Sequence, residues 1–330
     1  MGLDVSPLAM TRGGTARYVR GLLGGLSGIG EVGVEPLSYS ASGRVATLVR
    51  DLGWYPVALP RAARRSGVDV LHCTTFRAPL TGSTPMVATF HDLAVLRMPR
   101  CFNRWSRVYG RHVLQHVARA CTAIIAVSEF TRREVIELLG VREERIHVVP
   151  NGVGAPFTRD GRASPGEYVL AVSTLEPRKN LNRLVRAFQL AGLSGCELRV
   201  VGSKGWGGVE VTGPRTSWLG SVTDEELADL YRGALCVAYV SLYEGFGLPI
   251  LEAMACGTPA VASTAPALRE LGGDAVVAVD PHDPEAIAHG LEEAINRSRP
   301  LRELGLERAR QFSWRRTAEE TSAVYQVVAV

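Results

Sequence analysis

Residues 244–252 read Glu-Gly-Phe-Gly-Leu-Pro-Ile-Leu-Glu, and they follow an uncharged apolar stretch, 234–243, with the length of a buried strand. Gly245 and Gly247 sit where a strand turns into a helix, and glycine there lets the backbone approach a ligand closely. The helix that opens at Leu248-Pro249 offers free N–H groups and the positive end of its dipole to an anion such as phosphate. Glu244 stands just before the turn and Glu252 one turn into the helix. That spacing lets both carboxylates face one crevice at the carboxyl ends of the strands, where open α/β sheets bind ligands. A carboxylate accepts two hydrogen bonds at once, which suits the paired hydroxyls of a sugar or ribose. Phe246 and Leu248 complete the turn.

Arg178 and Lys179 are a second chemical signal. Adjacent cations after a strand and at a helix start suit a doubly charged leaving group. Lys179 is one of only two lysines, against 35 arginines. The other, Lys204, lies in a second strand-end glycine loop, Val201-Gly202-Ser203-Lys204-Gly205. His91-Asp92 ends the apolar strand at 87–90. A lone histidine is more often packed than catalytic, but a strand end is where a functional one belongs. No Asp-x-Asp sequence and no Cys/His cluster with metal spacing is present, so Arg178 and Lys179 would do what a metal does elsewhere.

These residues need elements to hold them. In the first half apolar, β-branched runs at 2–5, 68–73, 86–90, 122–127 and 146–149 read as strands, with helices at 14–26, 104–119 and 129–139. In the second half the strands read 168–172, 197–201, 235–240, 259–262 and 275–279, and the helices 180–190, 224–232, 249–255, 284–296 and 301–311. Strands alternating with helices of this length predict parallel sheets built from βαβ units. Local signals agree: Thr223 and Glu226 form a capping box, Pro249 and Pro284 stand at first helical positions, and Gly257 follows a helix end. The long Gly/Pro-rich loop that begins at Pro150-Asn151-Gly152 separates two complete patterns and predicts two domains.

Composition bounds the rest. With 330 residues, 46% hydrophobic and 21% charged, the chain is neither disordered nor fibrous. No apolar run approaches the ~20 residues of a membrane span, and the first residues lack a signal-peptide layout, so the expected location is cytoplasmic. The six cysteines are never closer than 20 residues and read as reduced. Charge is uneven: residues 1–150 carry 19 arginines and 11 acids, for +8, and residues 151–330 carry 18 cations and 22 acids, for −4. From Asp92 to Glu129 there are six arginines and no intervening acid, with Phe102 and Trp105 interleaved. Such a patch suits an anionic partner, including the anionic lipids on the cytoplasmic membrane face. No nucleic-acid-binding module is present.

With those residues in place, the segment from Glu244 through Glu252 to Pro259-Ala260 resembles the retaining glycosyltransferases of family 4, the group 1 glycosyl transferases. Residues 171–181, 126–131, 149–153 and 89–93 fit further landmarks of that family, and the opening Asp4 to Pro7 followed by Gly13 to Tyr18 resembles its first strand, glycine turn and helix. The resemblance implies an α/β GT-B fold: two facing Rossmann-like, doubly wound domains with a cleft between them. Residues 1–152 would form an acceptor domain, residues 153–312 a nucleotide-sugar domain, and the last segment, 313–330, would cross back onto the first domain. It implies a metal-independent retaining transfer of a hexose-type sugar from a nucleoside diphosphate sugar to an acceptor hydroxyl on a glycan, a lipid-linked acceptor or a small molecule, with no cofactor. The catalytic residues would be His91, Arg178, Lys179 and Glu244. The donor would be held by Gly14, Arg178, Lys179, Glu244, Gly245, Phe246, Gly247, Leu248 and Glu252, with the ribose on Glu252. Many family members carry Gly-Arg where this chain has Ser173-Thr174, which assigns that cation's work to Arg178. Two alternatives share the fold: an inactive membrane-docked partner subunit and a nucleotide-sugar epimerase.

Overall fold

The computed structural model describes every residue except Arg12, Glu31, Ser42 and Val330. Val330, the last residue of the segment expected to cross back, therefore lies outside the described residues. The chain divides into two compact units. One comprises Met1–Pro99, Asn103–Gly152 and Ser313–Val330, and the other Arg100–Phe102 and Val153–Phe312.

The first unit holds a six-stranded parallel sheet of β1 (Gly2–Asp4), β2 (Glu35–Leu37), β3 (Leu71–Cys73), β4 (Met86–Phe90), β5 (Ala123–Ala126) and β6 (Ile146–Val148), in the order β2-β1-β3-β4-β5-β6. The second unit repeats the design with β7 (Tyr168–Val172), β8 (Glu197–Val201), β9 (Thr216–Gly220), β10 (Cys236–Tyr239), β11 (Ala260–Ser263) and β12 (Val277–Val279), in the order β12-β11-β10-β7-β8-β9. β3, β4, β5, β7, β10 and β11 are buried along their whole length, as expected of strands covered by helices on both faces. That burial explains why their sequences read as continuous apolar runs.

Two edge strands escape the sequence pattern for the same physical reason. β2 contains Pro36 and is exposed at two of its three residues, and an edge strand tolerates a proline that cannot donate to a neighbour. β9 is buried at none of its five residues. Neither has an apolar run to read. The expected helix at 104–119 is two helices, Arg104–His112 and Leu114–Ala120, which break at Val113. Residues 44–65, unassigned in the sequence, are helical, with a π-helical turn at Arg50–Ala58 that accommodates Pro56. Pro266–Gly272 adds a short helix between β11 and β12.

The helix Trp314–Val328 packs in the first unit against the helix Gly14–Ile29. Contact is close enough to require glycine: a Cβ on Gly21 would lie 2.1 Å from the Trp314 ring. Local signals in the second unit are realised. Glu226 N donates to Thr223 Oγ1 at 3.2 Å while Thr223 N donates to Glu226 Oε2 at 2.8 Å, closing the capping box. Asp283 caps the helix Pro284–Asn296, and Gly257 takes a φ of 72° behind the helix Leu248–Ala255. That helix begins one residue earlier than expected, with Gly247 as its cap. Among the described residues, no helix is long and apolar enough to cross a membrane.

Candidate active site

In the second unit the chain leaves β7 through a short turn, Pro177–Lys179, and leaves β10 through the segment that contains Glu244. β7 and β10 are neighbours in the sheet, so these two turns meet above its carboxyl edge. The Leu242 N–H donates to the Arg178 carbonyl at 2.9 Å and ties them together. Asn180 closes the first turn. It adopts a φ of 62°, a left-handed conformation that asparagine tolerates better than most residues. Its Nδ2 donates to the carbonyls of Val240 and Pro281, at 3.0 and 2.7 Å.

Four charged side chains converge there. Arg178 donates through one terminal nitrogen to Glu244 Oε2 at 3.0 Å and to the Tyr243 carbonyl at 2.8 Å, and through the other to Glu176 Oε1 at 2.8 Å. Lys179 Nζ donates to Glu244 Oε1 at 2.6 Å and to the Tyr239 hydroxyl at 3.0 Å. Two carboxylates thus face two cations in a nearly dry setting. The side chains of Arg178, Lys179, Glu176 and Glu244 are all at most 11% exposed. Burial by itself would raise the Glu244 carboxyl, but the charges of Lys179 and Arg178 overcome it and hold it at about 2. Burial pushes the Tyr239 phenol well above its ordinary range, so it remains a neutral hydrogen-bonding group beside the ammonium.

The glycine turn lies between β10 and the helix Leu248–Ala255. Gly247 has a φ of 115°, and a Cβ there would lie 2.5 Å from Leu268 Cδ2. Phe246 and Leu248 are buried, and the Phe246 ring meets Phe312 edge-on with centroids 6.0 Å apart. Glu252 is fully buried on the helix and accepts the Tyr231 hydroxyl at 2.9 Å. The structure therefore joins Arg178, Lys179 and Glu244 into one cluster and gives Glu252 a separate polar partner. Lys204 is exposed, at a bridge that pairs it with Leu175.

In the first unit His91 follows β4 directly. It is half-buried, donates from Nε2 to the Thr74 carbonyl at 2.9 Å, and packs edge-on against Tyr18, with ring centroids 4.8 Å apart. Burial lowers its pKa, against the opposing effects of the Thr74 hydrogen bond and Asp92. Gly14 is the exposed first residue of the helix that carries Tyr18. A polar chain lies beneath: Tyr18 hydroxyl to Thr89, Thr89 to His72 and His72 to Tyr325, at 2.9, 2.8 and 2.6 Å.

Sequence reasoning missed Glu176 and Tyr239. Glu176 had a signal, an acid two residues before the Arg-Lys pair. Tyr239 had none, since it lies within an apolar strand. The interleaved aromatics of the arginine-rich stretch are half-buried and have partners within the protein: the Trp105 indole N–H donates to buried Asp51 at 2.9 Å, and Phe102 packs against Trp206. Arg97 is paired with Glu134 and Glu137, which leaves Arg104, Arg107 and Arg111 exposed on their helix. Among the described residues no group of three or more His, Cys, Asp or Glu could hold a metal ion.

Comparison with known proteins places this geometry. The family described as Glycosyl transferases group 1 matches residues 158–312, and Glycosyltransferase Family 4 matches residues 33–155. O-antigen chain mannosyltransferase B of Escherichia coli is 34% identical over 73% of this chain and 70% of its own length. The MMP alpha-(1->4)-mannosyltransferase of Mycolicibacterium hassiacum is 31% identical over 80% of this chain and 72% of its own. Among solved structures, sucrose-phosphate synthase from Thermosynechococcus elongatus superposes with a TM-score of 0.76 at 18% identity, covering 99% of this chain and 98% of that one. Anabaena HepE, solved in complex with UDP and glucose, gives 0.71 at 19% identity, covering 99% and 100%. The cation–carboxylate cluster, the glycine turn and the two parallel sheets thus sit in a GT-B fold, and the chain belongs to the group 1 glycosyltransferases, enzymes that transfer a sugar from a nucleotide-sugar donor.

Proposed function

We propose that this enzyme transfers a mannosyl residue from a nucleoside diphosphate sugar to an acceptor hydroxyl, with retention of configuration and without a metal ion. The single observation that carries this reading is the balanced cluster of Glu176, Arg178, Lys179 and Glu244 at the carboxyl edge of the second sheet. Arg178, spanning two carboxylates and a carbonyl, fixes Glu244 from one side. Lys179, on a flexible stem, is the group that exchanges partners. As the diphosphate binds and then leaves, the ammonium turns from Glu244 to the phosphate oxygens and stabilises the charge that develops there. The N-terminus of the helix Leu248–Ala255 adds its N–H groups to the same anion. Glu244 stays beside the transferred sugar, and Glu252 takes the ribose.

Retention follows if the acceptor attacks the face from which the diphosphate departs. The bond from the anomeric carbon to the phosphate oxygen breaks, the bond to the acceptor oxygen forms, and the acceptor proton passes to the departing phosphate oxygen. No covalent enzyme intermediate is then needed, and the protein's contribution is positioning and charge stabilisation. His91 takes the part of a neutral hydrogen-bonding group, since burial lowers its pKa. The mannosyl assignment is supported by the names of the relatives, which are mannosyltransferases. The acceptor is a glycan, a lipid-linked sugar or a small molecule, met at the cytoplasmic membrane face or in the cytoplasm.

The test is a thermal-shift screen of UDP, GDP, ADP and dTDP, followed by product analysis with the matching mannosyl donor. A ligand at 100 times its Kd adds ~2.7 kcal/mol of stability, so the correct nucleotide stands apart. An α-linked product from an α-linked donor is expected. A β-linked product would overturn retention, and absence of any nucleotide shift would overturn the assignment of the cluster.

A further inference from the structure

The first unit contains a polar cluster that the donor chemistry does not use. Asp51, on the π-helical turn, is buried and accepts from three donors: Arg50 Nε at 2.7 Å and Arg77 Nε at 3.2 Å on one oxygen, and Trp105 Nε1 at 2.9 Å on the other. Burial would raise its pKa, but the Arg50 hydrogen bond and the Arg77 charge bring it below the ordinary value, so Asp51 is a charged anchor. The two arginines differ. The Arg50 side chain is 7% exposed, whereas that of Arg77 is 22% exposed. The Arg77 guanidinium lies over the rings of Phe76 and Tyr109, 5.4 and 5.2 Å from their centroids. Its Nε is held by Asp51, and among the described residues no protein acceptor takes its two terminal nitrogens.

A guanidinium fixed at Nε and flanked by two aromatic rings has its swing restricted, so its outer fork is presented in a narrow range of orientations. Such a fork matches an oxyanion in a bidentate way, and its preorganisation lowers the cost of binding. Arg77 is also in the right place. It lies three residues beyond Thr74, whose carbonyl accepts from His91, and Phe76 packs against Phe90, the residue before His91. This is the carboxyl edge of the first sheet, where parallel sheets bind ligands.

We propose that Arg77 receives an oxyanion carried by the acceptor, a phosphate ester or a carboxylate, and so selects acceptors that bear such a charge. This rests on the glycosyl-transfer reading above, and the experiment separates the two. The full-length protein is saturated with its nucleoside diphosphate, which fills the second unit's phosphate site, and its melting temperature is followed against glycerol 3-phosphate, inorganic phosphate and glycerate. A rise with glycerol 3-phosphate and inorganic phosphate identifies a phosphoryl group, and a rise with glycerate alone identifies a carboxylate. In either case Arg77→Gln should weaken the apparent affinity at least tenfold. If Arg77→Gln melts too low to titrate, Arg77→Lys keeps the charge and loses the fork, and should weaken it several-fold. No rise with any of the three probes, or an undiminished rise in the variant that folds, would overturn the proposal. Failure of the nucleotide itself to stabilise the protein would instead sink the donor-site reading and leave the three probe titrations readable.

Discussion

Glu244→Gln isolates the charge balance of the donor cluster. The Glu244 carboxyl titrates at about 2 in the folded protein, against 4.5 ordinarily. A folded value below the unfolded one means that the charged form stabilises the fold. That contribution is complete above about pH 4.5 and is lost as the pH falls through about 2. Each pH unit that separates the folded from the unfolded value is worth about 1.36 kcal/mol, so a gap of roughly 2.5 corresponds to about 3 kcal/mol at neutral pH. The structure says where it comes from: Lys179 Nζ at 2.6 Å and Arg178 at 3.0 Å, in a site with little water to screen them. Glutamine retains hydrogen-bonding atoms but not the charge, so the variant should be less stable at pH 7 by that order. Its stability should also fall less steeply with acid, by up to about 1.4 kcal/mol per pH unit between pH 4.5 and 2. Urea unfolding at intervals from pH 7 to pH 3, in parallel for both proteins, reads the slope. Parallel curves would show that the Glu244 carboxyl is not held down and that the two cations are not compensated by it.

Further expectations concern the donor site and the arginine-bearing helix Arg104–His112. Glu252→Gln should raise the Kd for nucleoside diphosphate by more than it lowers kcat, because Glu252 is assigned to the ribose; an unchanged Kd from titration calorimetry contradicts that assignment. Transfer should survive excess EDTA, since Arg178 and Lys179 supply the charge at the phosphate; loss on chelation with recovery on added magnesium or manganese would refute it. Reversing Arg104, Arg107 and Arg111 to Glu should reduce binding to anionic vesicles by about 1 kcal/mol per arginine at low salt, and the binding should fade by 0.15 M salt as the Debye length falls to ~8 Å. A wild type that ignores such vesicles in cosedimentation would leave that helix face a solvated one.

The sequence was most legible where burial is two-sided. Six of the fully buried strands, β3, β4, β5, β7, β10 and β11, announce themselves as apolar runs, and the helix Asp224–Gly233 announces itself by the capping box at Thr223 and Glu226, which forms both of its hydrogen bonds. β2 and β9 stayed hidden because edge strands need no apolar face. The π-helical turn stayed hidden because Pro56 reads as a breaker, and only tertiary packing makes room for it. In the candidate site Arg178, Lys179, Glu244 and the glycine turn could be picked out by residue type and spacing. Their pairing could not: it depends on β7 and β10 being neighbours, a matter of strand order that local sequence does not encode. For the same reason the tie from Asp51 to Arg77 and Trp105, which links residues 26 and 54 positions apart, left no trace in the pattern of the chain.

The most direct test of the donor site is the Lys179→Ala variant, with transfer and nucleotide affinity measured on one preparation. Loss of one charge-assisted contact to a departing diphosphate should cost about 2–4 kcal/mol, which is roughly 30- to 1000-fold in kcat/KM. Arg178, Glu176 and the surrounding core remain to hold the turn. That loss is expected together with a weakened Kd for the nucleoside diphosphate, in a protein that still folds. Wild-type kcat/KM in a folded Lys179→Ala protein would contradict it.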